Sequence, residues 1–221
     1  VFLGRKHNVN QAQDLLNHAM NMGLRVSADF IYGLPNQSEQ SVKDLCRDIN
    51  SIGLEHVSMY ELTIEKNTPF GKMNLQMPDN ETMAKMYNVI SETLSLPHYE
   101  VSNYAKIGEE CRHNQNVWAG DAYIGIGRGA AGRVYLDNVW YEEMGNYEKF
   151  EPISNETRNI EKILTGMRTI RGVKLDEGIR KQINFDFVNN NKNLVVEKNN
   201  YLYATNQGLL ILDNLLLDLI K

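Results

Sequence analysis

An α/β fold is the expectation from this sequence, and three observations carry it. Residues 24–32 place Val26, Ala28, Phe30 and Tyr32 on one face of a strand flanked on both sides by amphipathic helical patterns, and a second strand follows at 57–62. The run Asp29-Phe30-Ile31-Tyr32-Gly33-Leu34-Pro35 carries an acidic residue towards the end of that first strand and into a turn. In a barrel of alternating strands and helices, ligands bind where strands end, so a carboxylate there is a candidate acceptor for a sugar or a cation. After about residue 150 the pattern changes to helix, helix, hairpin, helix, the order of a small winged-helix-like α+β domain, which divides the chain into 1–150 and 151–221.

Each element has a local cause. Asn8 followed by Gln11 has the form of a capping box, and Ala12, Leu15, Leu16, Ala19 and Met20 then repeat at helical spacing up to Gly23. Ser38 or Ser41 can cap the next helix, whose stripe of Val42, Leu45, Cys46, Ile49 and Ile52 stops at Gly53. Cys46 lies on that stripe and reads as a buried, inert thiol. Asp79 or Asn80 starts a third helix carrying Met83, Tyr87, Ile90 and Leu94, Pro97 breaks it, and 99–104 reads as a further strand. Residues 106–132 read as poor in regular structure, and 134–141 as a hairpin turning at Asp137-Asn138. Ser154 or Asn155 opens a helix with Ile160, Ile163, Leu164, Met167 and Ile170 in register, and a short helix follows near 176–183. Strands at 194–196 and 201–203 flank Lys198-Asn199-Asn200, and Thr205 caps a last Leu-rich helix.

The chain has 221 residues and a formal net charge of -5, without a basic stripe, so nucleic acid is not an expected partner. No apolar run approaches the roughly 20 residues that cross a bilayer, and the first residues lack the apolar core of a signal peptide, so a cytoplasmic protein is expected. The two cysteines, Cys46 and Cys111, are far apart and make neither a disulfide framework nor a close metal-binding pair. Position 1 is Val, and a chain opening on Phe-Leu-Gly-Arg reads as one that begins within a fold.

Two stretches offer chemistry. Arg5, just before the first cap, could bind a carboxylate bidentately, against the ordinary reading of a solvated charge. In the 111–118 stretch, Cys111, His113 and Trp118 supply a thiol, an imidazole and a flat aromatic surface, the materials for holding an iron porphyrin. A histidine satisfied by a backbone carbonyl beside a packing Trp fits the same residues, and both readings stay open. The glycines at 125, 127, 129 and 132 match no Walker phosphate loop; they suit either a close ligand approach or a tight sheet corner.

Several blocks together resemble the HemW family, radical S-adenosylmethionine proteins of the oxygen-independent coproporphyrinogen oxidase superfamily. They are Leu-Gly-Arg-Lys-His at 3–7, Asp-Phe-Ile-Tyr-Gly-Leu-Pro-Asn-Gln at 29–37, the run at 56–70 from His-Val-Ser-Met-Tyr to Asn-Thr-Pro-Phe, Arg-His-Asn-Gln-Asn-Val-Trp at 112–118, and Gly-Ile-Gly-Arg-Gly-Ala at 125–130. The resemblance implies a heme chaperone that passes heme to an acceptor protein. A coproporphyrinogen III oxidase-like radical enzyme of porphyrin synthesis is the alternative.

It implies S-adenosylmethionine contacts at Arg5 (methionine carboxylate), Asp29 (ribose hydroxyls) and Thr63. Heme contacts are implied at His113, Asn114 and Trp118, with Cys111 as an alternative iron ligand; position 117 is Val where the family has Tyr. The fold it implies is the later strands and helices of a partial radical-SAM barrel over 1–150 with the heme-associated loop, then the carboxy-terminal winged-helix-like domain. The family's Cys-x-x-x-Cys-x-x-Cys motif for a 4Fe-4S cluster is not among these residues, so the expectation is a carboxy-terminal piece without radical chemistry of its own. Any membrane association is expected to be peripheral, through the heme acceptor.

Overall fold

The first helix, α1 (Val9–Asn21), forms where the capping box calls for it: the Asn8 side chain accepts the Gln11 N–H, and the Gln11 side chain accepts the Asn8 N–H. The structure, a computed structural model, describes Gly4, residues 6–144 and residues 149–221. It divides into two units, Val1–Glu110 and Cys111–Lys221.

In the first unit α1 leads to β1 (Ser27–Tyr32), α2 (Glu39–Ile52) and β2 (His56–Glu61), a strand–helix–strand crossover with β1 and β2 parallel. Ser38 caps α2, and left-handed Gly53 ends it. α3 (Asn80–Thr93), capped by Asp79, brings the chain back to β3 (Asn103–Ala105), antiparallel to β2. The residues that alternate towards one side of this sheet, Ala28, Phe30, Tyr32, Val57, Met59 and Tyr104, pack with Val42, Cys46 and Ile49 of α2 and Met86 and Ile90 of α3. Leu16 and Met20 of α1 join the same core, so all three helices lie on one face. The other face is free of them.

The strand expected over 99–104 is instead a small hairpin. Ala105 N–H donates to Pro97 O and Tyr99 N–H to Asn103 O, and the turn is pinned by the Ser102 N–H donating to Glu100 Oε1 at 2.8 Å. A side chain accepting at the turn breaks the run in a way that periodicity does not register.

The second unit begins with α4 (Arg112–Ala119), followed by an antiparallel sheet of β4 (Ala131–Leu136), β5 (Val139–Met144) and β6 (Lys149–Ile153). Asp137 and Asn138, at φ 50° and 64°, make the expected two-residue turn between β4 and β5. α5 (Asn155–Gly166), capped by Ser154, leads to β7 (Val173–Lys174), α6 (Glu177–Gln182), α7 (Phe185–Asn190), β8 (Val195–Lys198) and β9 (Tyr201–Ala204). The last two strands turn at Asn199-Asn200, both at positive φ, and the sheet order is β7-β9-β8. The single last helix expected from Thr205 is two, α8 (Asn206–Leu210) and α9 (Leu212–Leu219), because Ile211 leaves helical geometry. The strands β6 and β7 and the helix α7 carry no sequence signal of the strength seen elsewhere.

The second unit starts at Cys111, whereas the sequence pattern changes near Phe150. The described residues of 111–144 are tied to α5 by polar bonds: Thr165 Oγ1 donates to Trp118 O (3.1 Å), Arg158 Nη2 to Gly120 O (2.5 Å), and Arg133 Nη2 to Glu161 Oε1 (2.8 Å). Among the described residues, no helix is long and apolar enough to cross a membrane.

Candidate functional site

On the helix-free face of the first sheet, strand pairing assembles a polar surface. Parallel register sets Ser27 beside His56 and Asp29 beside Ser58, and antiparallel register sets Ser58 beside Asn103. Because side chains alternate, burying Val57 and Met59 against the helices turns His56 and Ser58 to the opposite side. There Ser27 Oγ meets His56 Nδ1 at 2.7 Å and Tyr99 OH meets His56 Nε2 at 2.8 Å. A neutral imidazole donates at one nitrogen and accepts at the other, and the hydroxyls satisfy both in either tautomer.

Beside this chain Ser58 Oγ donates to Asn103 Oδ1 (2.8 Å), and Asn103 Nδ2 donates to Glu100 Oε1 (2.5 Å). Glu100 is only 1 % exposed. Burial holds the His56 imidazole below its ordinary pKa, the Asp29 carboxylate pulls it up in part, and Arg25 lowers it further. Sequence reading did not single out His56, Ser58, Tyr99, Glu100 or Asn103. The alternation His-Val-Ser-Met at 56–59 is the signal that could have found the first two.

Asp29 is exposed on this face, the third residue of a six-residue strand rather than at its end. Among the described residues none hydrogen-bonds or ion-pairs with it, so both carboxylate oxygens are open to donors from solution. Beyond it Gly33, at φ 76°, turns the chain, and a Cβ there would run into Met83. The Leu34 N–H donates to Gln37 Oε1 at 3.0 Å, closing the loop. Thr63, exposed, lies two residues past β2 and five past Ser58, the residue paired with Asp29, or roughly 16 Å along an extended strand. That is the span of an extended nucleoside, not hydrogen-bond reach. Arg5 lies outside the described residues. An exposed carboxylate beside ordered hydroxyls fits the ribose of a nucleoside.

In the second unit the 111–118 stretch is helical, and the helix decides which residues can act together. Cys111 is the half-buried residue before α4, and His113 and Asn114 are in its first turn. Asn114 and Trp118, four apart, share a side of α4; His113 and Trp118, five apart, are about 140° apart around it. His113 is exposed and meets Tyr123 edge-on at 6.4 Å, whereas Trp118 is half-buried under Arg168, whose Cζ lies 5.5 Å from its ring. The exposed imidazole is a donor that could hold an iron atom from the solvent side. The indole is not on the same side of the helix.

The glycines that follow serve the chain itself. Gly125 N–H donates to the buried Glu143 Oε2 at 2.7 Å, and a Cβ at Gly132 would strike that carboxylate. A 4Fe-4S cluster has no fitting donor set among the described residues: Cys46 is inside the first core, Cys111 is in the other unit, and no group of three or more His, Cys, Asp or Glu is placed to hold a metal ion.

No protein-family model matches the chain. The heme chaperone HemW of Haemophilus influenzae is 29 % identical to it over an alignment covering 97 % of this chain and 62 % of that protein. For the heme chaperone HemW of Lactococcus lactis the figures are 31 %, 79 % and 51 %. The chain therefore spans between half and two thirds of the length of these relatives. Among solved structures, the radical SAM enzyme coproporphyrinogen III oxidase (HemN) of Escherichia coli superposes with a TM-score of 0.71 over 97 % of this chain and 59 % of that one; at 14 % identity this shows a shared fold alone. By sequence over nearly its whole length the chain is similar to the HemW heme chaperones, and it shares its fold with a radical SAM enzyme.

Proposed function

We propose that this chain is part of a HemW-type heme chaperone of the cytoplasm, which binds heme through α4 and hands it to an acceptor protein. In this reading the first unit contributes to an S-adenosylmethionine site through Asp29, with Arg5 and Thr63 as further contacts. The observation that carries the reading is the alignment with a named heme chaperone over 97 % of the chain. The exposed His113 imidazole in the first turn of α4 supports it. When bound, heme would supply an iron atom, and iron takes nitrogen or sulfur donors. His113 is the better donor in the chain, since imidazole binds iron without first losing a proton, whereas a thiol must ionise. Cys111 is the alternative. Asp29 accepts hydrogen bonds from ribose hydroxyls, and Ser58, His56 and Asn103 hold the neighbouring surface in a fixed pattern. A coproporphyrinogen oxidase activity is supported by fold alone and is the weaker reading.

Heme titration of the chain, followed at the Soret band, tests this. The wild type is expected to give a saturable shift, and His113→Ala to bind at least tenfold more weakly with a changed band position. Unchanged binding by His113→Ala together with lost binding by Cys111→Ala would assign the iron to the thiol. No saturable shift in the wild type would remove heme from the reading.

A further inference from the structure

Beside α4 the structure leaves two donors without an acceptor. Trp118 Nε1 and Arg168 Nε are both buried atoms, and neither has a hydrogen-bond partner among the described residues. They are neighbours, with the Arg168 guanidinium carbon 5.5 Å from the Trp118 ring centroid. One residue fixes both: Thr165 Oγ1 donates to Trp118 O at 3.1 Å, and Thr165 O accepts the Arg168 N–H at 3.2 Å. The other arginines from β4 onwards all have a side-chain acceptor. Arg133 and Arg158 share Glu161, Arg171 has the Tyr201 hydroxyl, and Arg180 has Glu197. Among the described residues, Arg168 alone in that stretch stands over an aromatic ring with no side-chain acceptor.

An indole N–H and a guanidinium N–H are donors only, and leaving either unmet in a buried place is unfavourable. The group that answers both is an anion with two oxygens. Of the common ones, a carboxylate can accept the guanidinium Nε–H with one oxygen and the indole N–H with the other. We propose that Trp118 and Arg168 form a carboxylate-binding site, and that its ligand is a propionate side chain of the tetrapyrrole. This rests on the heme reading above for the ligand, but not for the chemistry of the site. It also gives Trp118 a part in binding that its place on α4, turned about 140° from His113, otherwise denies it.

The test compares iron protoporphyrin IX with its dimethyl ester, which keeps the ring and the iron but lacks the negative charges. Both are titrated into the wild-type chain, Arg168→Gln and Trp118→Phe, with thermal melts to check folding. The wild type is expected to bind the diacid about tenfold more tightly than the ester. Each variant is expected to bring the diacid down to the level of the ester while ester binding stays within twofold. Equal binding of diacid and ester by the wild type, or a preference that survives in both variants, overturns the site and leaves the heme reading standing.

If neither compound binds, the heme reading has failed and the site is decided without it, by the indole N–H resonance of Trp118 during a succinate titration, assigned with Trp118→Phe. A saturable downfield shift that Arg168→Gln abolishes supports a carboxylate site. A resonance that does not move overturns it.

Discussion

His56 is held by two hydroxyls from distant parts of the chain, Ser27 and Tyr99, and its pKa is set by what surrounds it. Burial lowers it, the Asp29 carboxylate offsets part of that, and Arg25 lowers it again. The unfolded chain therefore takes up a proton at a higher pH than the folded one, near 6.5. As the pH falls from there towards the folded value, the unfolded state gains the proton first and stability declines. Urea unfolding at pH 8 and pH 5.5 should show this decline in the wild type and a smaller one in His56→Gln; His98, also lowered by burial, supplies the remainder. In an imidazole NMR titration Asp29→Asn should move the His56 midpoint further down. An unchanged midpoint would mean that the carboxylate and the ring do not sense each other, and would separate Asp29 from the network beside it.

At the scale of elements, the segment from α4 to β6 is held by charge where the rest of the molecule is held by apolar packing. No large apolar side chain described between residues 111 and 153 is fully buried, and the groups that close this segment onto α5 are Arg133, Glu142, Arg158 and Glu161. Arg158 is only 4 % exposed and also stacks on Trp140, with Cζ 4.2 Å from the ring centroid. Burial pushes the Glu161 carboxyl up, but the hydrogen bonds from Arg133 and Arg158 outweigh it and leave it below the usual carboxylate range. Its contribution is thus present above the unfolded value and fades as the pH falls through the folded one. Glu161→Gln removes the shared partner of two arginines, one of them buried, and should cost about 3 kcal/mol at pH 7. It should cost less once the pH has fallen below the usual carboxylate range and the wild-type carboxyl is itself being protonated; a cost that does not change with pH would mean that the charge does not matter.

For the whole molecule, each unit has its own core: Val42, Cys46, Ile49, Val57, Met86 and Ile90 in one, and Ile163, Met167, Ile179, Leu202, Leu215 and Leu219 in the other. The joining residues 106–110 include Ile107, 91 % exposed. Brief proteolysis should cut there first and release two fragments near 1–110 and 111–221, each keeping helical circular dichroism. First cuts within either unit, or a fragment that unfolds on release, would show that the two cores depend on one another. The Cys46 thiol, its pKa pushed up to about 11 by burial, belongs to the first core, as its place on an apolar stripe implied.

The sequence by itself determined what depends on near neighbours. The caps at Asn8 and Thr205, and the turns at Asp137-Asn138 and Asn199-Asn200, follow from chemistry within a few residues and are present; at the other three helix starts one of the two candidates the sequence offered, Ser38, Asp79 and Ser154, makes the cap. The order of the family blocks was legible for the same reason: each is contiguous. The tertiary structure decided what depends on partners far along the chain. His56 finds Tyr99 43 residues on, and Ser58 finds Asn103 45 residues on, because strand register puts them side by side. Trp118 and His113 are close in sequence and part company because the stretch coils into a helix, while Trp118 comes beside Arg168 through packing of α4 on α5. Hydrophobic periodicity records which face of an element is buried; it holds no record of which polar groups meet once those faces have closed.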